Sequence, residues 1–188
     1  MFARSFFNQD TVRIAKQLLG AYLIHESPAG RTVGRIVETE AYLCTDPGSH
    51  SFRGMSKRNA AMFGDAGTAY VYLIYGMYHC FNVVTREKGI GEAVLIRALE
   101  PVEGVELMKK RRKVLDAEQL CNGPGKLVIA MGIDGKHNTV SLLKGKLRIE
   151  GGDGKKHSIV KTTRIGITKG SDLPLRFYIK NNPFVSKK

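Results

Sequence analysis

The β-rich runs of this sequence are joined by connections too short for repeated crossovers, so any sheet they build is mostly antiparallel. Ala21–Glu26 and Val33–Leu43 flank Ser-Pro-Ala-Gly, a hairpin turn by composition. Residues 69–85, AYVYLIYGMYHCFNVVT, form an aromatic and β-branched run broken only at Tyr75-Gly76-Met77. A hairpin or sharp bend is expected there, with Gly76 free to take positive φ. Further strands are expected at 93–99, 139–143, 146–150, 162–167 and 175–180. Asp10 and Gly20 suit the cap and the stop of a helix over Thr11–Leu19. Pro101 reads as the opening of a second helix reaching about Val114, and Gly-Pro-Gly as the entry to a third over Gly123–Met131. The balance is a mixed α+β chain without repeats or linkers, expected to form one domain over 1–188.

Residues 44–68 interrupt this pattern. They are rich in Gly, Ser, Asp and Asn, with one short helical patch at Asn59–Phe63. A polar connection of that length is usually mobile or functional.

Composition narrows the class of function. The 188 residues are enough for a sizeable core, and 43% hydrophobic content excludes a disordered polar tail. No apolar run reaches the ~20 residues a bilayer span needs, so no membrane partner is expected. The N-terminus lacks an apolar core and cleavage site for export. Cys44, Cys80 and Cys121 contain no CxxC pair and cannot all pair internally, so a reducing cytosol is the expected location. The net charge of +13 is unevenly placed. Residues 1–100 carry eleven Lys and Arg against nine acids; residues 101–188 carry nineteen against eight. An excess of that size favours polyanions, above all nucleic acid. The basic run Lys109–Lys113 also has a structural reading, since cations late in a helix suit its dipole.

Two segments can carry chemistry. Strand parity in IVETEAYL (36–43) puts Glu38, Glu40 and Tyr42 on one face and Val37, Thr39 and Ala41 on the other. Two acids on one strand face mean either a solvated face with the acids paired to Lys or Arg, the commoner arrangement, or the border of a polar pocket. The second segment, YVYLIYGMYHCFN (70–82), has four tyrosines in nine positions. They fill a core edge or form a platform on which a base stacks, and an aromatic at the hairpin tip can wedge between base pairs. A phosphate loop, HExxH and metal-ligand spacing are all absent from the sequence.

In order along the chain stand IVETEAYL, His50 within Gly48-Ser49-His50-Ser51, Arg58-Asn59 ahead of Met62-Phe63, and the YVYLIYGMYHCFN run. LIRALEP (95–101), CNGPGKL (121–127), RIGI (164–167) and PLRFY (174–178) follow. This ordered set resembles the alkyladenine (3-methyladenine, methylpurine) DNA glycosylase family over nearly the whole chain. The resemblance implies an α+β single domain, mainly an antiparallel curved sheet flanked by helices, with a protruding β-hairpin. It implies a base-excision-repair enzyme that flips alkylated or deaminated purines out of double-stranded DNA and hydrolyses the N-glycosidic bond, leaving an abasic site. 3-Methyladenine and 7-methylguanine are the expected substrates, with hypoxanthine and ethenoadenine left open. No metal, no organic cofactor and a monomeric state are expected.

Carried over position by position, Glu40 corresponds to the general base, and Arg97 to the residue that helps orient the water. A backbone carbonyl within 164–167 is the implied third contact. Tyr42 and Tyr72 correspond to the aromatic walls of the base pocket with His50 opposite, on a loop one residue shorter than in the mammalian form. Tyr75 corresponds to the intercalating tyrosine, and Asn82 to the residue that obstructs the amino group of normal guanine. No Lys stands at the matched nucleophile position, so a monofunctional hydrolase is expected. The competing reading is a non-catalytic lesion- or nucleic-acid-binding module on the same scaffold, indifferent to Glu40→Gln.

Overall fold

The fold was obtained as a computed structural model that describes residues 1–74, 76–152 and 154–187. Two helices open the chain, α1 (Arg4–Phe7) and α2 (Thr11–Gln17). Asp10 caps α2 by accepting the Arg13 N–H at 2.8 Å. Then follow β1 (Tyr22–Ser27), β2 (Gly30–Tyr42), β3 (Ala69–Ile74), β4 (Tyr78–Val84) and β5 (Ala93–Glu103). Helices α3 (Val105–Arg112) and α4 (Pro124–Met131) precede the short strands β6 (Leu147–Glu150), β7 (Ile159–Thr162) and β8 (Arg176–Ile179). The strands form one antiparallel sheet in the order β3-β4-β5-β2-β1-β6, with β7 and β8 beside it.

Strand β2 is the spine. Along one edge it pairs with β5; its other edge is shared, the first half going to β1 and Glu38–Glu40 to β8. Its register with β5 slips at Val33/Gly34, Ile36/Glu38 and Glu38/Thr39. Bulges bend a strand and increase its twist, so three of them on one ladder curl the sheet around the acid-bearing segment. Val37 and Ala41 are buried in the main core with Ile14, Ala15 and Leu18 of α2 and its C-terminal end. The Thr39 hydroxyl, on the same face, donates to the Ala15 carbonyl at 2.8 Å. The opposite face carries Glu38, Glu40 and Tyr42, as the alternation requires.

Three expectations need correction. Strand β5 continues through Pro101 to Glu103, and α3 begins only at Val105. Proline is tolerated because β4 pairs with β5 no further than Leu95, leaving the rest of that strand's outer edge without a β4 partner. The real break is Gly104, whose φ is +72° and where an added Cβ would stand 2.3 Å from the Arg31 carbonyl oxygen. Residues 139–143 contribute one isolated bridge, Thr68 to Ser141, and no strand. The strand expected at 162–167 lies earlier, at Ile159–Thr162. Residues 164–167 bend away because their polar groups go to carboxylates: Arg164 to Asp46, and the Ile165 N–H to Glu40.

Within α3, Arg111 donates to the Ala130 carbonyl and the Ser27 hydroxyl, and Arg112 to the Leu120 carbonyl. Those two members of the basic run are structural.

Candidate active site

The solvated-face reading of the two acids fails: Glu38 and Glu40 are both fully buried. Each is held by a different set of donors, with Arg97 of β5 between them. Arg97 Nε lies 3.3 Å from Glu38 Oε1, and its Nη1 lies 3.4 Å from Glu40 Oε1. Glu38 also accepts from Arg176 Nε at 2.6 Å and from the N–H and hydroxyl of Ser186 at 2.7 and 3.0 Å. Ser186 Oγ in turn accepts from Arg97 Nε at 3.0 Å. The C-terminal segment thus reaches back to complete the neutralisation of Glu38.

Glu40 is differently placed. Its Oε1 accepts the Ile165 N–H at 3.0 Å, and its Oε2 accepts the Tyr42 hydroxyl at 2.8 Å. Burial pushes its proton affinity above the ordinary carboxylate range, with the nearby Glu38 adding to the rise. Arg97, the Ile165 N–H and the Tyr42 hydroxyl pull the other way. The balance is upward, leaving a carboxylate more basic than one in water, with three contacts partly offsetting the cost of its charge.

A cavity of about 400 Å³ lies against the residues that hold this group. Glu40 does not line it, but Tyr42, Arg97 and Ile165, the three residues holding Glu40, all do. Tyr70, Tyr72, Cys80 and Asn82 of the β3–β4 hairpin, with Leu95 of β5, form the sheet side. His50, Met62 and the Pro124-Gly125 entry to α4 complete the enclosure. The volume is within the range of small-molecule sites, and most of the lining is aromatic or aliphatic.

The aromatic groups brace one another. The His50 ring meets Tyr72 edge-on at 4.6 Å between centroids, and His50 Nδ1 lies 2.9 Å from the Tyr70 hydroxyl. Tyr70 and Tyr72 are tilted together at 5.1 Å. The Asn82 amide donates to the Tyr70 carbonyl at 2.9 Å, which fixes its orientation at the wall. Burial raises the phenols of Tyr42 and Tyr72, and that of Tyr70 to about 12. Burial and Arg58 hold the His50 imidazole below its usual range. The three phenols and His50 are therefore neutral near pH 7, beside the Glu40–Arg97 pair.

Tyr42 is fixed from behind by a second buried ion pair. Arg164 stacks over its ring with 4.6 Å from guanidinium carbon to centroid. The same guanidinium bonds both Asp46 oxygens, Nη2 to Oδ1 at 2.8 Å and Nη1 to Oδ2, and donates to the Ala41 and Gly170 carbonyls. Asp46 Oδ1 also accepts the Gly48 N–H at 2.8 Å. The polar 44–68 connection is thus anchored against β2 at the point where it delivers His50.

Glu40, Arg97, Tyr42, His50, Tyr72 and Asn82 come together here. Tyr75 lies outside the described residues. Sequence reasoning missed Arg164, Asp46, Tyr70 as the brace of His50, and Ser186. Arg164 was visible in RIGI, but its partner lies 118 positions away in the chain.

A family model for methylpurine-DNA glycosylase matches residues 5–183. The chain belongs to the methylpurine-DNA glycosylase family. A protein of Methanoculleus marisnigri named "Putative 3-methyladenine DNA glycosylase" is 52% identical over 188 residues, covering 98% of this chain and 97% of that one. Proteins of the same name from Carboxydothermus hydrogenoformans and Clostridium tetani are 49% and 46% identical, covering all of both chains and 98% of each, respectively. As a methylpurine-DNA glycosylase the chain is a DNA-repair enzyme acting on DNA, a polyanion that suits its net charge of +13.

Proposed function

We propose that this glycosylase turns a methylated purine nucleotide out of duplex DNA into the cavity and hydrolyses its N-glycosidic bond with a water activated by Glu40. The observation that carries the reading is a fully buried carboxylate whose two oxygens are bonded to residues of the wall of an aromatic cavity. Water is a poor nucleophile at neutral pH, and a carboxylate of raised proton affinity accepts its proton as the oxygen attacks C1′. The C1′–N9 bond breaks with its electron pair passing to the purine. In 3-methyladenine or 7-methylguanine that pair neutralises the positive charge of the base. Glu40 also offsets charge on the sugar in an oxocarbenium-like transition state. Arg97 orients the water and keeps Glu40 ionised until it is used, and Ile165 is the backbone nearest the acid within 164–167.

Tyr42 and Tyr72 with His50 sandwich the flipped base, and electron-rich rings favour a cationic one. The fixed Asn82 amide excludes the amino group of normal guanine. Among the described residues no lysine lines the cavity. Borohydride trapping on a lesion duplex is therefore expected to give no covalent adduct.

The test is to incubate the protein with methylated duplex DNA and identify released bases. Free 3-methyladenine and 7-methylguanine are expected, with none from unmethylated DNA, and absence of release at high enzyme would overturn the reading. Two smaller effects follow. Tyr70→Phe removes the hydroxyl beside His50 Nδ1 and should slow single-turnover release several-fold, with stability changing by about 1 kcal/mol. Binding to duplex DNA should weaken steeply with salt, since the basic half displaces counterions from phosphates. A titration between 50 and 200 mM salt checks it, as a protein making 6–10 phosphate contacts loses roughly 10³–10⁵ in affinity over that range.

A further inference from the structure

Five large apolar side chains are exposed on the two segments that flank the cavity: Phe52 and Met55 on one, Leu73, Met77 and Tyr78 on the other. The second segment is the β3–β4 hairpin, whose Ile74 and Tyr78 line the cavity. The first continues from Gly48 and His50, which line it from the other segment. Phe52 is 50% and Met55 66% exposed, an unfavourable display unless something covers them.

The loop carrying them is built rather than slack. Asn59 is buried and spends its whole amide on it, donating to the carbonyls of His50 and Gly54 at 2.8 and 3.0 Å. Its Oδ1 accepts from the Ser56 N–H and hydroxyl at 2.6 and 3.1 Å. A Gly54 N–H to Ser51 carbonyl bond at 2.8 Å closes the turn beneath Phe52 and Met55. The two apolar tips are therefore held out at fixed positions, which lowers the entropic cost of inserting them into a partner.

The charge around them names the partner. Between Asp46 and Asp65 the sequence has no acid and three cations, Arg53, Lys57 and Arg58. Among the described residues none of the three has an ion-pair partner. A second cavity of about 200 Å³ is lined by His50, Ser56, Arg58 and Asn59, sharing His50 with the first. The Arg58 guanidinium at such a small opening suits one phosphodiester group.

We infer that residues 51–58 are a second DNA-engaging finger, with Phe52 and Met55 packing against the duplex beside the extruded nucleotide while Arg58 holds a flanking phosphate. The inference rests on the reading that the large cavity takes that nucleotide. Apolar contacts of this kind stabilise the disrupted stack, whereas an intact duplex offers them little to cover. The finger therefore strengthens binding to a lesion duplex more than binding to an undamaged one.

The full chain carrying Glu40→Gln serves as a binding form, with fluorescence anisotropy on two duplexes of equal length, one containing a tetrahydrofuran abasic analogue and one intact. Phe52→Ala/Met55→Ala is expected to weaken the analogue duplex about tenfold or more, by analogy with lost base contacts. The intact duplex should weaken less than threefold, the salt slope should stay unchanged, and Met55→Leu should restore most of the loss. Arg58→Gln should instead weaken both duplexes and reduce the salt slope by about one. No change in either affinity, or an equal loss on both duplexes from the apolar variant, overturns the finger. If the parent form itself fails to prefer the analogue duplex, the reading of the large cavity fails instead. In that case an unchanged intact-duplex affinity in all variants removes the finger as well. Circular dichroism melting separates either result from misfolding, which is not expected at side chains this exposed.

Discussion

Glu40→Gln is expected to abolish purine release, by about 10²–10⁴-fold or more, while leaving the protein at least as stable as the parent near neutral pH. Glutamine keeps the acceptor for the Ile165 N–H and offers an amide to the Tyr42 hydroxyl, and Arg97 retains Glu38. The stability half of the expectation follows from the direction of the acid's shift. In the folded protein Glu40 holds its proton to higher pH than its ordinary value of 4.5. Below that value both folded and unfolded chains are protonated at this site. As pH rises through the window up to the raised folded value, the unfolded chain releases its proton first and stability is lost. The variant has no such loss, so its melting temperature should equal or exceed the parent's at pH 7–8, with the advantage shrinking toward pH 4.5. The same shift places the acid limb of kcat/KM on methylated DNA above the ordinary carboxylate range. An active and destabilised Glu40→Gln protein would contradict both halves.

The second large effect concerns Arg164. Its side chain and that of Asp46 are buried together, so Arg164→Ala strands a carboxylate out of water. Breaking one partner of such a pair typically costs about 3–5 kcal/mol. For a chain of this size that is a fall in melting temperature of roughly 10 °C. Tyr42 also loses the cation stacked on its ring, so base release should fall even well below the new melting point. Removing both charges with Arg164→Met and Asp46→Asn should recover most of the stability, since the asparagine oxygen can still accept the Gly48 N–H. Failure of the double variant to recover would mean the pair acts through more than its charges. Differential scanning calorimetry of the three proteins decides it.

What the sequence made legible follows its periodicities. Alternation in IVETEAYL assigned Glu38, Glu40 and Tyr42 to one face correctly because the extra residue on β2, Val37, comes before Glu38 and none follows it. The Gly76 break marked the hairpin, and Asp10 and Pro124 marked helix starts, since each acts within one turn of its own position. The failures share a cause. Pro101 was read locally as a helix opener, whereas its tolerance depends on where β4 stops pairing. Whether Glu38 and Glu40 were wet or buried depended on Arg97, Arg176, Ile165 and Ser186, all distant in sequence and brought in by sheet pairing and tail wrapping. Residues 164–167 looked like a strand because Ile-Gly-Ile is apolar. Their conformation is set instead by carboxylates more than a hundred residues upstream.

Ser186 lies 148 positions beyond Glu38, yet it bonds both Glu38 and Arg97. A growing polypeptide that has not yet reached this residue leaves Glu38 waiting in the sheet without the Ser186 N–H and hydroxyl. A stop codon at position 184 would therefore be felt at an acid buried inside the sheet rather than at the surface where the change was made.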